Sequence, residues 1–504
     1  ALPNAKLLMD LYTTGGHYGL VRSGIEVTAA SDGSFRVNLA ALHTPTPNPY
    51  GNPAWRGYHV GIESRDISGQ ATWREIQTVN TTLVSTRNRA GGGYFLANDA
   101  VTFELWRNGA KVEALAAKAD ADGIPTANFS TDTTTGDVML TRYHDSSGRE
   151  RTQSLNPWNL TATVDPVAKT ISGVTEPGAP LVGYYYEADG TTQAASQRAF
   201  AAADGSYKMQ FANLDGDRFI ALFRVADPGF TGVGAHQLEF RTPVVKVDDE
   251  VGQISGYGAP GVNAVRAEVR RGGAVAYTAT GQSAKDGYFS LTKLYRQVVP
   301  GDQVVVTTGA QQLPTFSVGV GDLTAHRVPV IGGWSYEGSG TPGRRVTVIA
   351  GPCVLQGVVG AGGAWQAPVT CALNPTDAAL ITETELTGPT TGSLRGRYEY
   401  VTEPDVALTQ PAVDAVVARS FTISASAVDF DEGPAPVAAS QVEFYLDGRL
   451  VGSDTTAPFS VNVSAAAGPH IVMARAYDAG RRALPGTTVA AFADTGFRAI
   501  TVSG

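Results

Sequence analysis

The residues whose types and spacing could do chemistry are few, and each set has a plainer structural reading. Gly256-Tyr257-Gly258-Ala259-Pro260-Gly261 and Gly338-Ser339-Gly340-Thr341-Pro342-Gly343 fit the G-x-G-x-x-G spacing of a dinucleotide fingerprint. That fingerprint works by seating pyrophosphate on the N-terminus of a following helix. A strand-like run follows each of these, and Glu176-Pro177-Gly178 stands at the same place in a related stretch, so they read as Pro-Gly turns. The seven histidines, His17, His43, His59, His144, His236, His326 and His470, show no metal-ligand spacing. Gly333-Trp334-Ser335-Tyr336-Glu337-Gly338 is one residue too long for a nucleophile elbow. No nucleophile has an evident base, so we expect no catalytic residues, no cofactor and no enzyme activity.

Binding chemistry has somewhat more to offer. Asp248-Asp249-Glu250 and Asp429-Phe430-Asp431-Glu432 are acidic clusters. A Ca²⁺ ion needs six or more oxygens, so backbone and neighbouring loops would have to complete either one. A solvated acidic turn is the commoner outcome. Tyr184-Tyr185-Tyr186 and the six tryptophans could form a sugar-stacking platform. Alternate strand residues face the core, however, so only part of the triplet can be exposed. Trp106 and Trp365 fall on repeat positions and read as core. Asn80, Asn128, Asn159 and Asn462 sit in N-x-S/T sequons, a short pattern that chance also produces. Cys353 and Cys371 are the only cysteines and flank a strand-turn-strand segment. A local disulfide there would contribute ~3 kcal/mol in the chain-entropy model. Two buried free thiols are the alternative, and two thiols without nearby histidines do not complete a zinc site.

The elements carrying these residues are organised by a repeated phrase. Ala203-Asp204-Gly205-Ser206-Tyr207 leads, after a short run, to Gly216-Asp217-Arg218-Phe219. Ser31-Asp32-Gly33-Ser34-Phe35 carries it near the start, and Lys285-Asp286-Gly287-Tyr288-Phe289 leads to Gly301-Asp302-Gln303. Asp122-Gly123 with Gly136-Asp137 is a worn copy, and Gly362-Gly363-Ala364-Trp365 with Asp377 the most divergent. Five copies roughly 80 residues apart mean tandem modules. We divide the chain into residues 1–77, 78–158, 159–241, 242–322, 323–402 and 403–504. Each offers short alternating strands with frequent turn signals, which suits an all-β Ig-like sandwich. Asp32, Asp204 and Asp286 should cap their own turns. An aromatic two residues past the turn glycine (Phe35, Tyr207, Trp365, with Tyr288 and Phe289 in the fourth copy) should plug the core. Short junctions predict a rod of stacked modules, on the order of 200 Å long at ~3.3 Å per strand residue.

The bulk numbers agree. The chain has 504 residues, 58 of them Gly and 28 Pro, with 17% charged and 43% hydrophobic, which suits several turn-rich β domains rather than disorder. A net charge of −9 argues against nucleic acid or an anionic membrane surface as partner. No apolar run is long enough to span a bilayer. Ala1-Leu2-Pro3-Asn4 lacks the features of a signal peptide, so we expect one to have been removed.

The sixth module departs from the repeat. It carries Val442-Glu443-Phe444-Tyr445-Leu446-Asp447-Gly448, then Thr455-Thr456-Ala457-Pro458-Phe459, Gly468-Pro469-His470 and Ala476-Tyr477-Asp478. These phrases closely resemble the bacterial immunoglobulin-like (Big-type) domain of secreted hydrolases and surface proteins. The five upstream copies resemble the broader group of bacterial Ig-like and carboxypeptidase-regulatory-like sandwiches. The resemblance implies an extracellular bacterial sandwich array, secreted or at the cell surface, with no catalytic residues.

One anomaly bears on partners. Leu7-Leu8-Met9-Asp10-Leu11 aligns with the strand that comes second in later copies, such as Val265-Arg266-Ala267-Glu268-Val269. Nothing upstream of Leu7 supplies the first strand. A sandwich lacking a strand offers an open edge, and strand addition there would polymerise the chain. Leu7, Leu8, Met9, Asp10 and Leu11 are therefore the candidate assembly edge, unless residues 44–53 fold back over it. We expect a structural subunit of a surface filament, appendage or coat, through self-association or a cell-surface partner. The alternative is an adhesin or carbohydrate-binding accessory array, or a non-catalytic piece of a larger secreted hydrolase.

Overall fold

The computed structural model describes residues 6–13, 19–32, 34–35, 58–65, 71–77, 79–93, 95–134, 136–145, 148–155, 159–186, 192–214, 216, 218–225, 233–248, 252–292, 297–330, 333–372, 379–386, 392–399, 404–429, 437–479 and 492–504. It divides into two units, Ala1–Leu214 with Arg218–Arg241, and Asp215–Asp217 with Thr242–Gly504.

In the first unit, module one supplies β1 (Lys6–Thr13), β2 (Gly19–Thr28), β3 (Tyr58–Arg65) and β4 (Ala71–Gln77), ordered β2-β1-β3-β4. Module two supplies β5 (Asn80–Val84), β6 (Arg89–Gly93), β7 (Ala100–Arg107), β8 (Ala110–Lys118), β9 (Thr126–Asn128), β10 (Val138–His144) and β11 (Glu150–Leu155). The sheet β11-β10-β7-β8 faces β5-β6-β9 across a core centred on Phe103, Leu105 and Met139. Module three repeats this with β12 (Thr163–Asp165), β13 (Thr170–Val174), β14 (Pro180–Tyr186), β15 (Gln193–Phe200), β16 (Ser206–Gln210), β17 (Phe219–Val225) and β18 (Val233–Arg241). Here β12-β13-β16 faces β15-β14-β17-β18 across Ile171, Met209, Phe211 and Leu222. Alternation makes these layers: along β16, exposed Ser206, Lys208 and Gln210 separate buried Tyr207 and Met209.

In the second unit, module four supplies β19 (Val244–Asp248), β20 (Gln253–Tyr257), β21 (Ala264–Arg271), β22 (Ala274–Gln282), β23 (Tyr288–Leu291), β24 (Gln303–Thr308), β25 (Gln311–Gln312) and β26 (Phe316–Ser317). Module five supplies β27 (His326–Val330), β28 (Gly333–Ser339), β29 (Arg345–Ala350), β30 (Cys353–Val358), β31 (Ala364–Pro368), β32 (Ala379–Thr384) and β33 (Leu394–Glu399). Module six begins with β34 (Asp405–Gln410), β35 (Val416–Val417), β36 (Ser420–Asp429), β37 (Val437–Ala438) and β38 (Gln441–Leu446). It ends with β39 (Arg449–Asp454), β40 (Phe459–Ser464), β41 (Gly468–Tyr477), β42 (Phe492–Asp494) and β43 (Arg498–Val502). Its two sheets are built around β36 and β41 and close over Ile423, Phe444, Phe459 and Val472.

The recurring turn has one mechanism. Asp204 Oδ1 accepts from the Ser206 N–H (2.9 Å) and hydroxyl (2.7 Å), and Asp32 does the same with Ser34 at 2.9 and 2.6 Å. Asp286 takes the Tyr288 N–H at 3.0 Å. Tyr207, Phe289 and Trp365 are buried as plugs, whereas Tyr288 and Phe35 are exposed. The plugs press on a glycine in the neighbouring strand. A Cβ at Gly256 would lie 2.0 Å from the Val244 carbonyl oxygen and 3.1 Å from the Phe289 ring, and one at Gly338 would lie 1.9 Å from the Thr324 carbonyl. The first glycine of each apparent dinucleotide motif thus serves strand packing.

Leu7, Leu8, Met9, Asp10 and Leu11 are not an edge. They lie in β1, which pairs antiparallel with β2 on one side (Leu7 opposite Val27) and β3 on the other (Leu7 opposite Ser64). The reason is topological. In later modules the second strand is central in its sheet, as β14 is between β15 and β17. The first strands belong to the facing sheet, where β13 pairs with β16 and β20 with β23. A missing first strand would therefore open the facing sheet, on the side of the stretch that follows Phe35. That stretch, the loop of residues 43–56 and the fold-back considered for residues 44–53 lie outside the described residues, as does Asp377.

Candidate functional site

The chemistry of this chain is concentrated where modules join. At the first seam β18 runs parallel to β5, pairing Val233 with Asn80 through Gln237 with Val84, so modules two and three share a seven-stranded sheet. Polar side chains lock it. Buried Glu239 receives Arg87 Nε at 2.7 Å and Arg89 Nη2 at 2.5 Å, and its own N–H donates to Thr86 Oγ1 at 2.9 Å. At the second seam β33 runs parallel to β19, pairing Lys246, Val247 and Asp248 with Leu394, Arg395 and Gly396. The Val245 N–H donates to Ser393 Oγ at 2.9 Å. In both seams the last strand of the later module accepts the first strand of the module before it.

The second seam adjoins a buried ionic network. Glu383 and Arg395 face each other across β32 and β33 with no exposure, Arg395 Nε donating to Glu383 at 2.8 Å. Glu383 also accepts the Thr341 N–H and lies 3.5 Å from Arg344 Nη1. The outer donors reach the junction: Arg395 Nη2 to the Gly321 carbonyl, and Arg344 Nη2 to the Ser317 carbonyl at 2.8 Å. One carboxylate thus ties the module four-to-five linker to the core of module five. Module four also touches module six, with Arg271 on Asp414 at 3.0 Å and Gln297 Nε2 on the Thr495 carbonyl at 2.6 Å.

Two of the Gly-Asp strand starts, at Asp137 and Asp302, are clamps. Asp137 is buried, accepts a fork from Arg107 (Nε 2.7 Å, Nη2 2.9 Å), and caps its own loop at the Thr134 N–H, 2.8 Å. Asp302 repeats this with Arg271 (both 2.9 Å) and the Val299 N–H at 3.0 Å. Burial pushes the Asp137 carboxyl up, but Arg107 and the Thr134 N–H outweigh it and hold it below the ordinary range. The recurrence of Arg at the end of the second strand, about 30 residues before the Gly-Asp, was the available signal for this pair.

The residues singled out from sequence fall as follows. Cys353 and Cys371 are bonded, with Cα atoms 5.9 Å apart, and pack into the core of module five. Asp429 is buried and accepts the Ala479 N–H at 2.8 Å; residues 430–432 and 249–250 lie outside the described residues. Among the described residues no three His, Cys, Asp or Glu side chains gather to hold a metal. Tyr185 is buried against Phe211, while Tyr184 and Tyr186 are half-buried on the opposite face with Phe223 and Phe219 at 5.7 and 5.6 Å. Trp365 is core, donating to the Thr324 and Ser339 carbonyls, and half-buried Trp106 donates to Glu104 at 3.0 Å. His470 Nδ1 lies 2.7 Å from Asp447 and Nε2 2.9 Å from the Ala466 carbonyl, and these partners raise its pKa. Asn128, Asn159 and Asn462 are exposed. Among the described residues no helix is long and apolar enough to cross a membrane.

The motif residues of module six have local roles. Asp447 and Gly448 form the positive-φ turn between β38 and β39, and Asp447 takes the Ile471 N–H at 3.0 Å. Asp454 Oδ1 caps the Thr456 N–H and Oδ2 the Ser460 N–H, both at 3.0 Å. Arg475 forks onto Asp494 at 2.7 and 2.9 Å and lies 4.0 Å over the Phe492 ring.

Residues 404–480 match the family described as the bacterial Ig domain. No curated protein matches the chain. Among solved structures, fibronectin(III)-like modules of Clostridium thermocellum CbhA are 25% identical over 20% of this chain and 96% of theirs, with a TM-score of 0.14. The tetra-tandem repeat of the extending region of a large adhesion protein is 15% identical over 83% of this chain and 98% of its own, at 0.15. A Ca²⁺-stabilised, ice-binding adhesin of an Antarctic bacterium is 14% identical over 64% of this chain and 98% of its own, at 0.12. At such TM-scores none bears on how these modules are arranged. The C-terminal module thus carries the match to the bacterial Ig domain, and Ig-like sandwiches in tandem precede it.

Proposed function

We propose that this chain is a non-catalytic extracellular structural protein, a subunit from which a bacterial surface filament, appendage or coat is built by strand addition. The observation that carries the reading is the pair of parallel seams, at which the modules already associate by adding one module's edge strand to another's sheet. Main-chain hydrogen bonds supply affinity in such a contact, and it needs no cofactor. Sedimentation velocity of the native protein across a concentration series tests it. Growth into large species with rising concentration is expected, and a single small species throughout overturns it.

A second reading has its own observation. Tyr184, Tyr186, Phe219 and Phe223 cluster half-buried on one sheet face, an arrangement on which sugar rings stack. Retention on polysaccharide columns, lost in Tyr184→Ala/Tyr186→Ala, would make the chain a carbohydrate-binding array. Elution in the void volume removes that reading.

A further inference from the structure

The seams have a parity. Modules two and three form one and modules four and five the other, and among the described residues neither β4 of module one nor β34 of module six takes part in a seam. We propose that β4 of one copy accepts β34 of a second copy in parallel, so that module six of one chain and module one of the next form a third seam. This rests on the reading of the chain as a filament subunit and names its contact.

The acceptor is marked by topology and by sequence. The order β2-β1-β3-β4 repeats β15-β14-β17-β18 and β30-β29-β32-β33, which puts β4 in the place of the acceptors β18 and β33. Among the described residues no strand lies on its outer side. The three strands also share an ending: Glu75-Ile76-Gln77-Thr78, Glu239-Phe240-Arg241-Thr242 and Glu399-Tyr400-Val401-Thr402. The last strands of modules two and four lack it. β11 ends Ser154-Leu155-Asn156-Pro157, and module four has only the two-residue β25 and β26 there. β11 also presents exposed Glu150, Arg151 and Thr152, the charged surface that blunts an edge.

The donor is the corresponding first strand. β34 pairs with β36 as β5 pairs with β6 and β19 with β20, and β5 and β19 are the donors of the two existing seams. Over residues 406–410 no described strand covers the other side of β34, and Ala407 and Thr409 are exposed. The contact joins different surfaces of identical chains, so it does not close and propagates as a filament.

The two existing seams also set the register. His236, three residues before Glu239, faces Leu83, the fourth residue of β5. Gly396, three before Glu399, faces Asp248, the fifth residue of β19. Thr72, three before Glu75, then faces Leu408 or Thr409. Neighbouring parallel strands lie ~4.8 Å apart, inside the Cα separation a disulfide spans.

The test uses the full chain, whose own two cysteines are bonded to each other. Thr72→Cys and Thr409→Cys are made separately, checked for wild-type melting, mixed and oxidised. We expect a disulfide-linked species of twice the monomer mass in the mixture and in neither variant alone, and a ladder of multiples from the double variant. An internally bonded monomer in the double variant overturns the proposal, as does equal linkage of Thr409→Cys to Thr152→Cys on β11. Fibres of wild-type protein without linkage overturn this contact and leave the filament reading standing. A monomer at every concentration overturns both.

Discussion

Arg395→Met removes one half of an ion pair in which neither side chain is exposed, and leaves Glu383 charged inside module five. The remaining cation, Arg344, lies 3.5 Å away and is shared with Glu385 at 2.9 Å, so it does not replace the lost hydrogen bond from Arg395 Nε. The Gly321 carbonyl loses its donor at the same time. Breaking a buried pair from one side costs about 3–5 kcal/mol, most of it the stranded charge. For a cooperative unit of this size each kcal/mol moves Tm by about 2–4 °C, so the second unit should melt on the order of 10 °C lower. Differential scanning calorimetry of the full chain reads this directly, because the first unit serves as an internal reference. Arg395→Lys keeps the charge but cannot reach both Glu383 and Gly321, so it should fall between wild type and Arg395→Met. Adding Glu383→Leu to Arg395→Met should recover part of the loss, since it removes the stranded charge. A loss below about 1 kcal/mol in Arg395→Met, or no recovery in the double variant, would refute the claim that this network pins the linker.

Four further outcomes follow from the same geometry. Glu239→Ala should cost about 1–3 kcal/mol, because Arg87 and Arg89 are exposed enough to hydrate, and hydrogen exchange should show protection falling in β5 and β18 together. Asp137 has a depressed folded pKa, so its clamp stabilises module two above the unfolded value of about 3.9 and fades as pH falls through the lower folded value. Asp137→Asn should therefore flatten acid unfolding followed by the tryptophan signal. His470 is the opposite case: its raised pKa gives stability that is complete below about 6.5 and is lost as pH rises through the folded value, and His470→Gln should abolish that slope in melts of the last module. Tyr185→Ala should cost about 3–5 kcal/mol as a core truncation, whereas Tyr184→Ala on the other face should cost far less by denaturant titration.

The local chemistry of the fold was readable in the sequence, and its long-range pairing was not. The Asp-Gly turn declares itself because Asp204 and Ser206 act within two residues of each other, and the bacterial Ig phrases of module six likewise name contacts made close to them, such as Asp447 with His470. The seams join strands about 150 residues apart, and a parallel pairing leaves no short-range mark on either strand. Glu239 looks like any surface glutamate until Arg87 and Arg89 arrive from another module. Aligning Leu7 to Leu11 with a second strand gave the right partner strands in the later modules. The inference of an edge failed because the second strand is the middle of its sheet, flanked here by β2 and β3. The plug aromatics show the same limit: Tyr207 and Phe35 follow identical turns, yet one is buried and the other exposed.

The most direct test of the central claim, that this chain builds a structure by adding strands between modules, is electron microscopy of the purified native protein over a concentration series. Long fibres with a constant axial repeat, lengthening as concentration rises, are the predicted result. Separate particles of one chain each at every concentration would contradict it.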